Sequence, residues 1–257
     1  MIYTRTQVKA KISDFLKPSE AVIAVWEGGS AATGFLDEYS DLDLSIVIQD
    51  GATESVIEAF ENFLTAEFII VRKHRLAEPT WHGFSQCFYK IDKVSEWLYL
   101  DVCFIQKSIK DKFTEQNRHG HAVVWFQKEP ILDETETPLE NIVKKGKRLY
   151  QAAIQMDFIM ELEIKKAVRR GLFSEAFSFY YGFINRSLGI MLNLKYRPEK
   201  ADFGLRYAYR DFDIDDYALI DAAMKVASIE ELETMSNRII HRYLTLKQEL
   251  ALEWGSD

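Results

Sequence analysis

Cysteine is scarce in this sequence: two residues in 257, Cys87 and Cys103, each alone in an apolar, strand-like run. Neither has a Cys-x-x-Cys partner or a histidine at zinc spacing, which argues against a thiolate metal site; both read as small packing residues of a reducing compartment. No stretch reaches the roughly 18 consecutive apolar residues of a membrane helix. The opening Met1-Ile2-Tyr3-Thr4-Arg5-Thr6 lacks the basic segment and apolar run of a secretion signal. Positive charge is also in deficit. Lys and Arg number 32 against 40 Asp and Glu, a formal net charge of −8, and such a surface repels nucleic-acid phosphates unless a basic patch gathers somewhere. Internal repeats and low-complexity tracts are missing too. These absences lead us to expect a cytoplasmic protein that engages neither a membrane nor large nucleic acids and mildly attracts cationic small molecules. What is present is ordinary: 47% hydrophobic and 28% charged residues, the composition of a folded globular chain with room for one large domain or two small ones.

The chain changes character near residue 135. Before it, short helices mix with β-rich runs. Thr4 with Gln7 makes a capping box, and Val8, Ile12, Phe15 and Leu16 line one face of the helix that Pro18 ends. Ala21–Trp26 and Leu42–Ile48 read as strands stopped by Gly28-Gly29 and Asp50-Gly51. Thr53 is expected to cap a helix through Leu64, followed by a short strand over Phe68–Val71. Phe84–Ile91 and Trp97–Ile105 suggest a hairpin, and Ala122–Gln127 a last strand. After residue 135 the pattern is helical. Thr137-Pro138-Leu139-Glu140 reads as a cap, a first-turn proline and a first-turn acid. Leu139, Val143, Gly146, Leu149, Ala153, Met156, Met160 and Ile164 then recur at steps of three and four. Further helices follow over about 174–194, around Tyr217–Ala227, and from Ser228, which with Glu231 caps the last. The expected fold class is α+β: a mixed-sheet domain over 1–135 followed by an all-α bundle over 136–257.

Chemistry concentrates in Val25-Trp26-Glu27-Gly28-Gly29-Ser30-Ala31-Ala32-Thr33-Gly34 and in Ser40-Asp41-Leu42-Asp43-Leu44. A strand running into Gly29-Ser30 and a short helix offers backbone N–H groups and a hydroxyl to an anion. Strand alternation puts Asp41 and Asp43 on one side, with Leu42, Leu44, Ile46 and Ile48 on the other. Paired carboxylates repel and raise each other's pKa unless a cation intervenes. A hard divalent ion such as Mg²⁺, which accepts phosphate as a co-ligand, is the natural counter-charge. Asp101 stands on the polar side of Leu98, Leu100, Val102 and Phe104, where an unpaired carboxylate is costly to bury.

In these residues the sequence resembles the DNA polymerase β-like nucleotidyltransferase superfamily: Gly29-Ser30, the helix turn, Ser40-Asp41-Leu42-Asp43-Leu44 and the later strand acid Asp101 occur in order. The likeness covers roughly the first half, and the helical half looks like the accessory bundle of the aminoglycoside and lincosamide nucleotidyltransferases, which adenylylate an antibiotic hydroxyl. The resemblance implies that Gly29 and Ser30, with Ser40, hold the nucleotide phosphates. It implies that Asp41 and Asp43 bind Mg²⁺, and that Asp101 is a further metal ligand or the base for the acceptor hydroxyl. ATP or another nucleoside triphosphate is then the co-substrate and a small hydroxylated molecule the acceptor. One departure is Ala31-Ala32-Thr33, where relatives often carry an arginine before the second glycine. A cationic phosphate contact is therefore expected elsewhere, first at Lys200 and second at Arg206, in the loop Tyr196-Arg197-Pro198-Glu199-Lys200-Ala201-Asp202-Phe203-Gly204-Leu205-Arg206.

Blander readings stand beside these. A lone glycine-serine is commonly a plain turn, a lone Asp-x-Asp a solvated strand edge, and loop charges are usually solvated. His74, His82, His119 and His121 read as loop or surface residues, Arg238 and His241 as helix surface, and the aromatics of Phe173–Phe183 as core. Two alternatives to a small-molecule acceptor remain: a protein or tRNA acceptor with the same chemistry, and a catalytically silent nucleotide-binding or antitoxin-like module.

Overall fold

The computed structural model describes residues 2–255. The chain forms two compact units, residues 1–136 and 137–257, an α+β unit and an all-helical one.

In the first unit, six strands form one sheet in the order β3-β4-β5-β2-β1-β6. They are β1 (Val22–Glu27), β2 (Leu42–Ile48), β3 (Ile70–Arg75), β4 (Ser85–Ile91), β5 (Leu100–Gln106) and β6 (Val123–Gln127). The central pair β2·β5 is parallel and the other pairings are antiparallel, so the sheet is mixed. Alternation decides which side each residue takes. Leu42, Leu44, Ile46 and Ile48 join Leu100, Val102 and Phe104 in one core, covered by α1 (Arg5–Leu16) through Val8, Ile12 and Leu16 and by α3 (Thr53–Glu67) through Val56, Ile57, Phe60 and Leu64. Each such side chain contributes about 1.5–3 kcal/mol on full burial. The opposite side carries a smaller cluster of Ile23, Ala24, Trp26, Val47, Phe84 and Ile105. This thinner cover leaves the strand-opening acids room on that side.

The predicted capping box at Thr4 and Gln7 is present, with Gln7 N–H donating to Thr4 Oγ1 at 3.2 Å and Thr4 N–H to Gln7 Oε1 at 2.9 Å. Two expectations need correction. Thr53 is the first helical residue rather than the cap; Ala52 occupies the cap position without a side-chain bond. The third strand runs over Ile70–Arg75, later than Phe68–Val71, because buried Phe68 closes the helix and Ile69 turns through φ 70°. This edge strand, Ile-Val-Arg-Lys-His-Arg, is exposed almost throughout. Its charges discourage pairing with another chain and erase the apolar alternation a reader would look for.

The second unit is built on α5 (Leu139–Arg169). The helical run after it is α6 (Phe173–Phe183), a π-turn (Ile184–Leu188) and α7 (Gly189–Tyr196). The short α8 (Ala208–Asp211), α9 (Ile214–Ala223), α10 (Ile229–Glu249) and α11 (Ala251–Trp254) follow, numbered after the one-turn α2 (Gly29–Thr33) and α4 (Gln116–His119) of the first unit. Ser228 accepts from Glu231 N–H at 3.2 Å, and Glu231 accepts from Ala227 N–H at 2.8 Å, the expected cap of α10. At α5 the cap position belongs to Pro138, with no side-chain bond, rather than to Thr137. The buried stripe of α5 is Gly146, Tyr150, Ala153, Ile164 and Ala167. Met156 and Leu139 lie 49% and 74% exposed instead of inside. The stripe passes through Asp157, which accepts from Lys247 at 2.6 Å and Tyr243 at 3.1 Å. A polar residue in the inward phase is why the sequence pattern slipped to Met156. Gly146 has a packing reason: a Cβ there would stand 2.2 Å from the Trp254 ring. No helix among the described residues is long and apolar enough to cross a membrane.

Candidate active site

The parallel pair β2·β5 sets the site. Leu42-Asp43-Leu44 and Leu100-Asp101-Val102 carry the same apolar-acid-apolar pattern, and the register aligns them residue for residue, Asp43 beside Asp101. Parallel strands in register place both side chains on one face, one strand spacing (about 4.8 Å) apart at the backbone. Asp41 lies one residue before β2, where the chain is already held by Leu42 N–H donating to Tyr99 O at 3.0 Å. Neither Asp41 nor Asp101 has an ion-pair partner among the described residues. Asp101 accepts instead from a neutral amide, Gln86 Nε2 to Oδ1 at 2.7 Å. Burial holds its carboxyl above the ordinary aspartate range; Asp41 adds to the effect, against the pull of the Gln86 hydrogen bond and of His82. Tyr99 is pushed up by burial and by its hydrogen bond to Asp41, with Asp101 and Asp43 adding to it. Burial and the same two acids, Asp101 and Asp43, raise Cys103, which keeps its thiol protonated. The acids thus share one electrostatic neighbourhood.

The Gly28-Gly29-Ser30 turn lies against this pair. Gly28 N–H donates to Asp43 O at 3.0 Å. Gly29 takes φ +54°, and a Cβ on it would sit 1.7 Å from Asp43 Oδ2. Only glycine lets the turn come this close to the carboxylate. Ser30 Oγ is buried without a hydrogen-bond partner, although a buried hydroxyl is nearly always satisfied. Ser40 is placed differently: its hydroxyl donates to Asp37 Oδ1 at 2.8 Å and accepts from Asp37 N–H at 3.0 Å, so it closes its own turn.

A buried acid and a half-buried arginine that the sequence reading passed over hold the two loops together. Glu27, 1% exposed at the end of β1, pairs with Arg5 and lies 3.9 Å from Lys9 Nζ. The same guanidinium donates from Nη2 to the carbonyl of Asp41 at 2.7 Å. Arg5 on α1 therefore ties the exit of β1 to the entry of β2. Around the acids stand exposed aromatic rings: Tyr39 and Trp97 meet edge-on at 5.5 Å, and Tyr99 is adjacent in sequence to the β5 entry.

No group of three or more His, Cys, Asp or Glu side chains among the described residues is gathered closely enough to cage a metal ion. The acids form a pair in register with a third nearby. Such a donor set suits Mg²⁺ better than a closed cage does, because Mg²⁺ is commonly held by one or two carboxylates plus water and phosphate oxygens. The hard oxygen donors and the orphan Ser30 hydroxyl fit a metal with a phosphate-bearing partner.

No protein-family model matches the chain. No curated protein matches its sequence. Among solved structures, an aminoglycoside 6-adenyltransferase from Bacillus subtilis aligns over 100% of this chain and 93% of its own at 9% identity, with a TM-score of 0.37. A nucleotidyltransferase-like protein from Exiguobacterium sibiricum 255-15 aligns over 96% of this chain and 76% of its own at 11% identity, with a TM-score of 0.38. Likenesses this loose assign neither family nor activity, and the functional reading rests on the residues above.

In the helical unit, Lys200 ends a one-turn 3₁₀ helix, Pro198–Lys200, half-buried. Arg206 is exposed and lies over its neighbour, Nη2 3.1 Å from Tyr207 OH. The loop that carries both is more ordered than a solvated connector. Arg197, 3% exposed, donates to Asn193 Oδ1 at 2.7 Å, Asp211 Oδ2 at 2.7 Å and Gly204 O at 3.0 Å. This anchor was hidden in the sequence because a buried arginine looks like any loop cation.

Proposed function

We propose that this chain is a metal-dependent nucleotidyltransferase that moves a nucleoside monophosphate, AMP from ATP, onto the hydroxyl of a small molecule. One observation carries the reading: Asp43 and Asp101 stand in register on one face of adjacent strands, against a glycine turn whose serine hydroxyl is buried and unsatisfied. Asp43 and Asp101, with Asp41 beside them, would hold Mg²⁺, whose contribution is to neutralise and orient the triphosphate for in-line displacement. Ser30 Oγ and the N–H groups of the turn would hold phosphate oxygens. Ser40 contributes by fixing the turn that delivers Asp41.

In the transfer, the acceptor oxygen bonds to the α-phosphorus, the α–β anhydride bond breaks, pyrophosphate leaves, and the hydroxyl proton passes to a base. Asp101 is the candidate for that base, since it stands on the same face as Asp43 with only a neutral amide bonded to its carboxylate. The excess of acidic residues, net −8, draws cationic acceptors, and the Tyr39–Trp97 rings offer faces on which sugar rings stack. An aminoglycoside fits this chemistry best, a lincosamide second, which would make the enzyme a resistance determinant.

The test is incubation with each labelled nucleoside triphosphate, Mg²⁺ and a panel of aminoglycosides and lincosamides. Label transferred to a panel member is the expected result. Label on the protein itself or on added tRNA moves the acceptor to a macromolecule. Tight ATP binding without turnover on any acceptor identifies a silent binding module and ends the catalytic reading.

A further inference from the structure

His82 and Gln86 form a directed chain of hydrogen bonds that ends on Asp101. Phe84 N–H donates to His82 Nδ1 at 3.0 Å. That nitrogen therefore accepts, and a neutral ring must carry its proton on Nε2. Thr80 Oγ1 lies 3.3 Å from the same Nδ1 but is turned to the Phe84 carbonyl, donating at 2.6 Å. His82 Nε2 lies 3.1 Å from Gln86 Oε1, so the imidazole donates there. The other end of the amide, Nε2, then donates to Asp101 Oδ1 at 2.7 Å. Reversing the amide would set its oxygen against the carboxylate and its NH₂ against an N–H, opposing both bonds at once.

The ring has little freedom to choose otherwise. It packs 4.8 Å from Phe84, 5.0 Å from Trp81 and 6.3 Å from Phe113, centroid to centroid. The chain of bonds thus starts on a backbone N–H of β4's approach and ends on the acid aligned with Asp43. We propose that His82 and Gln86 are positioning residues for the transfer reaction: the Nε2–H tautomer of His82 fixes the sense of the Gln86 amide, and the amide holds Asp101 in one orientation beside Asp43. This rests on the nucleotidyltransferase reading, because Asp101 matters to the rate only if it serves the metal or the acceptor hydroxyl.

Partners one shell behind a metal ligand typically change affinity or activity by about 10- to 100-fold when removed. His82→Ala should lower kcat by at least about tenfold with little change in KM for ATP. His82→Gln, which restores an N–H at the position of imidazole Nε2, should recover most of that loss. Gln86→Ala should match His82→Ala, and the double variant should be no worse than Gln86→Ala alone, since both act through one bond. Thermal unfolding of each variant checks that the sheet unit stays folded, and His82→Gln keeps the test decisive if His82→Ala does not. Full activity of His82→Ala, a His82→Gln variant as poor as the alanine, or additive losses in the double variant would each overturn the proposal.

A second measurement does not depend on turnover. The ¹⁵N spectrum of histidine-labelled protein, with His82 assigned by its loss in His82→Gln, should show Nδ1 unprotonated and Nε2 protonated. The opposite tautomer overturns the positioning claim outright. The expected tautomer in a protein that transfers nothing to any acceptor overturns the functional reading and leaves the hydrogen-bond chain standing.

Discussion

Asp216 in the helical unit and Asp101 in the sheet unit are both carboxylates drawn out of water, and the chain treats them in opposite ways. Asp216, 5% exposed, receives a fork from Arg242, Nε to Oδ1 at 2.6 Å and Nη2 to Oδ2 at 2.7 Å, and a third bond from Tyr196 OH at 2.6 Å. Burial alone would raise its carboxyl, but Arg242 and Tyr196 more than offset that and hold it below the ordinary range. Asp211 is handled likewise, with burial outweighed by Arg210 and Arg197. Asp101 gets a neutral amide and an acidic neighbour, and its carboxyl rises. Charge that serves only packing is neutralised inside the protein. Charge left under-compensated beside a like charge is a standing demand for something from outside, and this contrast separates structural acids from candidate functional ones better than any residue count.

The largest effect expected is on the neutralised side. Arg242→Ala leaves Asp216 a buried anion with one hydrogen bond, from Tyr196, and the more distant charge of Lys195, and breaking such a pair costs about 3–5 kcal/mol. Hydrogen exchange read by peptide should show the loss in 137–255 with the sheet unit protected as before. Unchanged protection around α9 and α10 would mean that Asp216 is reached by water and the contrast is overdrawn. The paired acids also set an acid limit. A carboxyl whose folded pKa is depressed contributes stability above its unfolded value, and that contribution is lost as pH falls through the folded value. Asp211 and Asp216 should therefore make the helical unit weaken below about pH 4.

On the other side, effects should appear in activity first. Asp43→Asn removes an oxygen anion from the centre of the site, and a loss of at least about a hundredfold in transfer is expected with the fold intact, the scale of deleting one preorganised electrostatic contact. Undiminished transfer in that variant removes the metal assignment. Gly29→Ala comes next. It forces an alanine into the left-handed region, about 1–2 kcal/mol, and drives a methyl into Asp43 Oδ2. Activity should fall more than stability does, because the atom displaced belongs to the carboxylate proposed to hold the metal. A variant that loses stability but keeps kcat would show that the turn and the acid are neighbours without a shared task.

How much of this could be read beforehand depends on the kind of signal. The Leu-Asp-Leu and Leu-Asp-Val patterns disclosed both acids and the strand faces they occupy, since alternation is a local property. Their alignment is a matter of register between strands some sixty residues apart, which no local pattern encodes. The capping box at Thr4 and the Ser228 cap were legible for the same local reason. Arg5, Glu27, His82, Gln86 and Arg197 were not: each is a common polar residue whose meaning comes only from what the fold brings beside it. The edge strand Ile70–Arg75 and the Asp157 phase of α5 misled because a charged or polar residue stood where the periodic pattern expected an apolar one.

The smallest expected effect tests the contrast most directly, because its sign is unusual. Replacing a buried residue commonly destabilises, yet Asp101→Asn should raise the stability of the sheet unit at pH 7. The substitution keeps the shape and a hydrogen-bonding oxygen for Gln86 while removing a negative charge that is drawn out of water near Asp41. Neighbouring like charges on a sheet cost on the order of 0.2–1 kcal/mol. The pH dependence distinguishes this cause from better packing. A carboxyl whose folded pKa is raised binds its proton more tightly folded than unfolded, so lowering the pH through the raised value strengthens the native protein relative to its value at pH 7. Once protonated, Asp101 is nearly an asparagine. The advantage of Asp101→Asn in urea unfolding should therefore shrink as pH falls from 7 and vanish towards the ordinary aspartate range near 4. An advantage that persists unchanged at low pH, or a variant less stable than the parent at pH 7, would mean that Asp101 is compensated after all, and the distinction between the two sets of acids would fail at its central residue.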